Sequence, residues 1–153
     1  MTIASICSRA AIAIRRSDSV TEAARTMRMH HVGSLVVVDD DERGFRIPVG
    51  FLTDRDITVS VTALELDPSA ITVNEVMVDS VICVSETAGI AETVSLMRDK
   101  GVRRLPVVDE TGALAGIVTA DDLIALFAGE LSGLAESAVR ERHRERELRR
   151  TGG

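Results

Sequence analysis

The sequence contains one pattern twice. Residues 2–39 align with residues 72–109 at a constant offset of 70, with identical or similar residue types at matched positions. After a loop four residues longer in the first copy, GFLTDRDI at 50–57 aligns with GIVTADDL at 116–123 at an offset of 66. Each copy of such a repeat has an apolar face that it cannot bury alone. We therefore expect one pseudo-symmetric body with two equivalent clefts.

Each copy shows the same order of elements, β-α-β-β-α. Ser19, with Glu22 three residues later, has the spacing of a capping box, and apolar residues follow it at helical intervals. A second helix is predicted to begin at Thr53 in the first copy and at Thr119 in the second, although TVSVT at 58–62 also alternates like a strand. The apolar and β-branched runs that predict strands are residues 12–14, 34–39, 81–84 and 104–109, with a further strand ending in VGFL or AGIV.

Length and composition suit one compact domain or two paired half-domains, because the chain has 153 residues of which 45% are hydrophobic. We expect the first repeat in residues 1–66, the second in 71–131 and a charged helical tail in 132–153. A net charge of −6 and the absence of Trp and Tyr argue against nucleic acid as a partner. No apolar stretch approaches the roughly 18 residues needed to cross a membrane. We therefore expect a cytoplasmic protein.

The start of the chain and the two cysteines support that location. Residues 1–14 are apolar but lack the basic region of a signal peptide, and they align with residues 71–84 inside the chain. Cys7 and Cys83 occupy non-equivalent repeat positions and have no partner at metal-ligand spacing. We expect both to be buried, reduced thiols.

The two copies, each closing with Gly-h-h-Thr-x-x-Asp (h is apolar), resemble the cystathionine β-synthase (CBS) domain pair, or Bateman module. The resemblance covers residues 2–128 and includes a Met at 27 and 97 and the pattern V-x-x-L-x-V-V-D at 32–39 and 102–109. It implies an α+β fold in which the two repeats pack through their sheets about a pseudo-twofold axis. It also implies that the clefts between the repeats bind adenosine-containing ligands.

The resemblance also assigns ligand-binding roles to the residues that match the family motifs. The motif Asp, here Asp56 or Asp122, is expected to bind the ribose hydroxyls, and the motif Thr, Thr53 or Thr119, to hold ribose or phosphate. The other implied contacts are Gly33 and Ser34 or Arg103 and Arg104 after the conserved Val, Ile12 or Ile82 at the first strand, and Arg55 or Asp121 before the motif Asp.

The chemistry of these residues agrees with a nucleotide site. A helix N-terminus leaves backbone N–H groups that favour an anion, and an Arg offers forked donors to phosphate. Arg55 and Asp121 differ in charge at equivalent positions, so we expect unequal clefts. A phosphate beside Asp121 would be repelled unless Arg103 and Arg104 offset that charge.

Simpler interpretations remain open for each feature. Thr-x-x-Asp is also the spacing of a helix cap, and Arg103 with Arg104 also fits plain surface charge. His30 and His31 have no metal-ligand spacing, and the acidic segment 39–42 is expected to be a solvated turn, because the spacing of a calcium-binding EF-hand loop is missing.

The favoured function is a regulatory sensor of adenosine nucleotides of the AMP, ADP or ATP class. The alternatives are binding of NAD or S-adenosylmethionine, which share the adenosine end, or a dimerisation or docking module with degenerate or empty clefts. An enzyme is least supported, because the sequence shows no nucleophile–base pair, metal cluster or Walker loop. We expect no catalytic residues, no metal and no required cofactor.

We also predict a homodimer. The helices after Thr53 and Thr119 carry apolar stripes, which include Leu123, Leu126, Phe127 and Leu131, and which exceed what a small two-repeat core covers. Residues 140–150 hold six Arg and three Glu, a local charge of +3, so the tail is either a solvated extension or a contact for an acidic protein partner.

Overall fold

A computed structural model describes the backbone of residues 1–151 and the side chains of residues 1–144. The same order of elements occurs twice in it. The strands are β1 (Ala13–Arg15), β2 (Ser34–Asp40), β3 (Arg46–Thr53), β4 (Val84–Ser85), β5 (Arg104–Val108) and β6 (Leu114–Thr119). The helices are α1 (Val20–His30), α2 (Asp54–Ile57), α3 (Ile90–Lys100) and α4 (Ala120–Thr151), with short 3₁₀ turns at Ile3–Ser5 and Val73–Glu75.

The strands form two three-stranded sheets of the same design. The strand orders are β1-β2-β3 and β4-β5-β6. In each sheet the first strand is parallel to the second, and the second is antiparallel to the third. Both ladders shift register at the same repeat position, between Val37 and Val38 and between Val107 and Val108. Because β3 also contacts β6, equivalent strands of the two repeats meet. The predicted α+β fold of two matched repeats is confirmed.

The segment before the first repeat's sheet belongs structurally to the second repeat. Within residues 2–8, the backbone N–H of Ile3 donates to the carbonyl of Ala88 at 2.9 Å. Ser8 and Ile117 exchange two backbone hydrogen bonds of 2.9 Å each, which extends the second sheet by one bridge beyond β6.

The second repeat's leading segment makes the reciprocal contacts on the first repeat. Within residues 72–78, the N–H of Val73 donates to the carbonyl of Asp18 at 2.8 Å. Phe51 and Val78 exchange backbone hydrogen bonds of 3.0 and 2.8 Å. Val73 is fully buried in the first repeat's core. Each repeat therefore completes the other, which explains why the chain needs two copies.

This exchange explains the glycine of the repeated motif. A Cβ on Gly50 would lie 2.5 Å from the carbonyl oxygen of Val78, and a Cβ on Gly116 would lie 2.6 Å from that of Ser8. The crossing segment thus approaches the strand closely enough to exclude any side chain at that position.

The first repeat's core is aliphatic, as the low aromatic content requires. Leu35, Val37 and Leu52 from the sheet are fully buried, and Met27 of α1 packs against them in the same cluster. Helix α1 begins at the predicted capping box, because the Ser19 Oγ accepts from the N–H of Glu22 at 3.2 Å and the N–H of Ser19 donates to that carboxylate at 2.9 Å. The N–H of Ser19 and, at 3.0 Å, its Oγ both donate to the Glu22 carboxylate, and these two hydrogen bonds lower the pKa of that group.

Some elements differ in extent from the sequence prediction. The predicted strand at 81–84 is reduced to Val84–Ser85, because only these two residues pair with β5. The ambiguous segment Thr58–Thr62 is a π-helical turn that continues α2, so it is not a strand.

The C-terminal helix differs most from the prediction. Residues Met1–Thr119 form one compact unit that contains both sheets, and the chain from Ala120 onward forms a second. The helix predicted to begin at Thr119 and the predicted charged helical tail form one continuous helix, α4. The boundaries 1–66, 71–131 and 132–153 stay a prediction. Within the described residues, none of the helices combines the length and apolar character that a membrane span requires.

Cys7 and Cys83 are free thiols, but both are only half-buried, so the expectation of full burial was wrong. Cys83 lies beside the short strand β4, and partial burial raises the pKa of its thiol. Its thiol is therefore expected to be protonated and weakly reactive at neutral pH.

Candidate functional site

Two clefts lie within the compact unit Met1–Thr119, and each is built from both repeats. The first has a volume of about 250 Å³. Its lining residues are Ala10, Ile12, Val32, Gly33 and Ser34 of the first repeat and Arg104, Ile117 and Thr119 of the second.

The second cleft is the pseudo-symmetric counterpart of the first. It has a volume of about 180 Å³ and is lined by Ser34, Phe51, Thr53, Val102, Arg103 and Arg104. Each of these residues is the repeat equivalent of one that lines the first cleft: Phe51 corresponds to Ile117, for example, and Thr53 to Thr119. The predicted pair of equivalent clefts is therefore present.

Each cleft combines the wall of one repeat with the motif Thr of the other. The first pairs Gly33 with Thr119, and the second pairs Arg103 with Thr53. This pairing bears on the expectation that Arg103 and Arg104 together offset the charge of Asp121. Arg103 lines the cleft that contains Thr53, not the one that contains Thr119, whereas Arg104 lines both.

The two clefts carry different charges. Among the described residues that line them, the first has one cation, Arg104, and the second has two, Arg103 and Arg104. The Asp54 carboxylate borders the wall of the first cleft, because a Cβ on Gly33 would lie 3.1 Å from its Oδ2. The N–H of Asp54 also donates to the carbonyl of Gly33 at 3.0 Å. The described lining of the second cleft is therefore the more positively charged of the two.

Asp54 was missed by sequence reasoning. Its repeat equivalent is Ala120, so it lies outside the motif that the two copies share. The only indication of its role in the sequence was its position directly after Thr53, at the start of the helix α2 that follows β3.

The Thr-x-x-Asp motif of the first copy forms a helix cap. The N–H and Oγ1 of Thr53 donate to Asp56 Oδ2 at 2.8 and 2.6 Å, and the N–H of Asp56 donates back to Thr53 Oγ1 at 3.1 Å. The cap interpretation is therefore confirmed for this copy. All three bonds use Oδ2 or the hydroxyl, and no described residue donates to Oδ1. Asp56 can thus cap α2 and still offer one oxygen to a ligand.

The remaining candidates are not gathered in the clefts. Ile82 is half-buried and Arg55 is exposed on α2, and neither is among the described residues that line either cleft. Asp121 and Asp122 lie in the first turn of α4, in the second compact unit. The ligand-binding roles of these four residues, like that of Asp56, stay predictions from the sequence.

His31 and the acidic turn have local structural roles. His31 adopts a left-handed conformation, φ 54°, where α1 ends. Asp41 Oδ1 accepts from the N–H groups of Arg43 and Phe45 at 2.9 Å each, which closes the turn between β2 and β3. These hydrogen bonds, that of Phe45 above all, lower the pKa of the Asp41 carboxyl. Within the described part of the chain, no three His, Cys, Asp or Glu side chains are grouped as metal ligands.

Comparison with known proteins matches both repeats to one family. The CBS domain family model matches residues 3–62 and 73–129. Hypoxic response protein 1 of Mycobacterium tuberculosis strain H37Rv is 41% identical over 106 residues, which cover 69% of this chain and 71% of that protein. The uncharacterised protein MK0525 of Methanopyrus kandleri is 38% identical over 108 residues, 71% of this chain. The chain spans about half of that relative, 53% of its length.

Solved structures match over most of the chain. A crystal structure of Hypoxic Response Protein I with two coordinated zinc ions superposes with a TM-score of 0.68 at 36% identity, covering 82% of this chain and 98% of that one. The CBS domain pair of MJ0100, in complex with 5′-methylthioadenosine and S-adenosylmethionine, gives a TM-score of 0.67 at 30% identity, covering 85% and 98%. A hexameric CBS-CP12 protein from bloom-forming cyanobacteria gives 0.68 at 26% identity, covering 81% and 66%.

Proposed function

This chain belongs to the CBS domain family, whose paired repeats are regulatory ligand-binding modules, and we propose that it senses adenosine nucleotides of the AMP, ADP or ATP class. The observation that carries the proposal is the pair of matched clefts, each of which joins an apolar wall, a motif threonine and at least one arginine. An adenosine phosphate needs these three features in one place. The proposal includes no catalytic step, no resident metal and no required cofactor.

The lining of each cleft fits the parts of such a ligand. In the first cleft Ile12, Val32 and Ile117 offer apolar surface to a base. The Thr119 side chain is of the kind that binds a sugar hydroxyl, and Arg104 offers forked donors to phosphate. The MJ0100 domain pair, which binds 5′-methylthioadenosine and S-adenosylmethionine, supports an adenosine moiety as the common feature.

We propose that nucleotides enter the second cleft first. Arg103 and Arg104 together offer a phosphate more charge than Arg104 alone, and the Asp54 carboxylate borders the wall that contains Gly33 in the first cleft. Asp56 Oδ1 would accept from the ribose in this cleft. By repeat equivalence, Asp122 is proposed for the same role.

A thermal-shift panel with adenosine, AMP, ADP, ATP, NAD and S-adenosylmethionine tests the ligand class. A ligand that binds only the folded state stabilises it by about 2.7 kcal/mol at 100 times its Kd. We expect stabilisation by adenosine nucleotides and none by guanosine 5′-monophosphate. If no adenosine compound stabilises the protein, the proposal is wrong and the docking-module alternative is favoured.

Calorimetry on a charge variant then tests the role of the second cleft. Arg103→Gln removes a charge-assisted hydrogen bond to phosphate, so AMP should bind about tenfold or more weakly while adenosine is little affected. Arg98→Gln is the matched control, because Arg98 is an exposed arginine that pairs with Asp99 on α3, outside both clefts. Equal AMP affinity in the two variants would remove Arg103 from the site.

We also propose a homodimer formed through α4. The stripe predicted from the sequence needs one correction, because Leu123 is 4% exposed and belongs to the buried set. Phe127 and Leu131 are 45% and 66% exposed, and Ile124 and Leu134 continue the exposed apolar face at spacings of three and four residues. Sedimentation should show a dimer at micromolar concentration, and Leu131→Glu should shift it to monomer. A wild-type monomer would contradict the proposal.

The two free thiols favour a reducing compartment, and we propose a cytoplasmic location.

A further inference from the structure

Two residues lie at the junction of the clefts. Ser34 begins β2 and Arg104 begins β5, and they occupy equivalent positions in the two repeats. Each of them lines both clefts. Their neighbours in the ladders are also equivalent, because Ser34 pairs with Thr53 and Arg104 with Thr119. The pseudo-symmetry therefore supplies two shared positions, but only one of them carries a charge.

Arg104 is an exposed arginine, and no described carboxylate forms an ion pair with it. It is the one cation among the described residues that line the first cleft. A guanidinium has five N–H donors but only one positive charge, so it neutralises one phosphate fully and each of two phosphates only in part. The two clefts thus compete for the same side chain whenever both ligands are anionic.

We propose that Arg104 couples the two clefts, so that anionic ligands bind them with negative cooperativity while uncharged adenosine binds them independently. This inference rests on the proposed function. A nucleotide in the second cleft engages Arg104 and leaves a second nucleotide in the first cleft without its cation and beside the carboxylate of Asp54. Coupling between binding sites is reciprocal, so occupation of the first cleft weakens the second by the same factor.

The test must separate coupling from any difference in AMP affinity that the two clefts have on their own. Wild-type protein has Arg103 in one cleft only, which alone gives two unequal AMP affinities. Asp54 is a second inherent difference, so Arg103→Gln is combined with Asp54→Asn in every protein described below. Arg104 is then the shared cation of both clefts, and the carboxylate at the wall of the first cleft is gone. Calorimetry on this variant should give a ratio of the two stepwise Kd values for AMP that exceeds the ratio for adenosine by at least about fivefold, the lower end of typical coupling.

A gain of charge at the equivalent position provides the decisive variant. Adding Ser34→Arg to the Arg103→Gln protein places a second guanidinium at the junction, so each AMP can have its own. The AMP ratio should then fall to within about twofold of the adenosine ratio. Ser34→Gln in the same background is the matched control, since it adds length without charge and should leave the AMP ratio high.

The outcomes separate the two proposals. Equal ratios for AMP and adenosine in the Arg103→Gln protein would overturn the coupling and leave the proposed function standing. A Ser34→Gln effect as large as that of Ser34→Arg would also overturn it, because charge would not be the cause. If neither AMP nor adenosine binds to the wild type and its variants, the proposed function itself is wrong, and the coupling with it.

Discussion

The exchange of leading segments between the repeats predicts that Gly116→Ala destabilises the protein. A Cβ at this position would lie 2.6 Å from the Ser8 carbonyl oxygen, where ordinary contact begins at 3.4 Å. Ser8 must therefore retreat by about 0.8 Å, which strains its two hydrogen bonds to Ile117. Overpacking of this kind costs about 1–3 kcal/mol, and the lower entropy of the unfolded alanine chain offsets about 0.4–1 kcal/mol. We expect a net loss of about 1–2 kcal/mol.

Urea unfolding followed by circular dichroism measures this loss, and each kcal/mol should lower Tm by about 2–4 °C in a protein of this size. Gly50→Ala should behave alike, because its Cβ would meet the carbonyl of Val78 at 2.5 Å. Gly89→Ala is the steric control, since nothing lies within 4 Å of its Cβ and its φ is an ordinary −77°. Gly89 is the N-cap of α3, and the cost of alanine there, about 0.5 kcal/mol, is offset by the lower entropy of the unfolded alanine chain. If Gly116→Ala is as stable as Gly89→Ala, the two repeats are not held together by these crossing segments.

Two further predictions concern the caps. Thr53→Ala should lower the free energy of unfolding by about 1 kcal/mol, because it removes the Oγ1 that accepts from Asp56 at the start of α2, and Thr53→Ser should restore it. Hydrogen bonds from Thr72 lower the pKa of Glu75 below its ordinary 4.5, so its contribution to stability is present above that pH and is lost as pH falls through the lower folded value. Glu75→Gln should therefore flatten the loss of stability as pH falls below 4.5 in urea titrations, and an unchanged slope would show that this cap does not contribute.

Local features of the fold could be predicted from the sequence because their determinants lie within a few residues. The capping box of Ser19 and Glu22 formed as its spacing indicated. The repeat also predicted the matched sheets, since each copy had to fold in the same way. By contrast, the segment 58–62 fitted two periodicities, and only its continuation of α2 decided for a helical turn.

Features that depend on contacts between the repeats could not be predicted. Nothing near Ser8 indicates that it pairs with Ile117, because the two residues are far apart in the chain and the bonds are between backbone atoms. For the same reason, nothing near Thr119 in the chain indicates that it shares a cleft with Gly33 and not with Arg103. The residue types indicated which residues line the clefts. Which wall meets which motif threonine depends on how the two repeats pack together, and the sequence does not show that.

Amide chemical shifts in two-dimensional NMR test most directly whether the two clefts bind adenosine ligands. Titration with AMP should perturb the amides of Ser34, Thr53, Arg103 and Arg104, which line the second cleft, before those of Ala10 and Thr119 in the first. Guanosine 5′-monophosphate at the same concentration is the control. Shifts confined to α4, or no shifts at all at millimolar AMP, would contradict the assignment of these clefts as the binding sites.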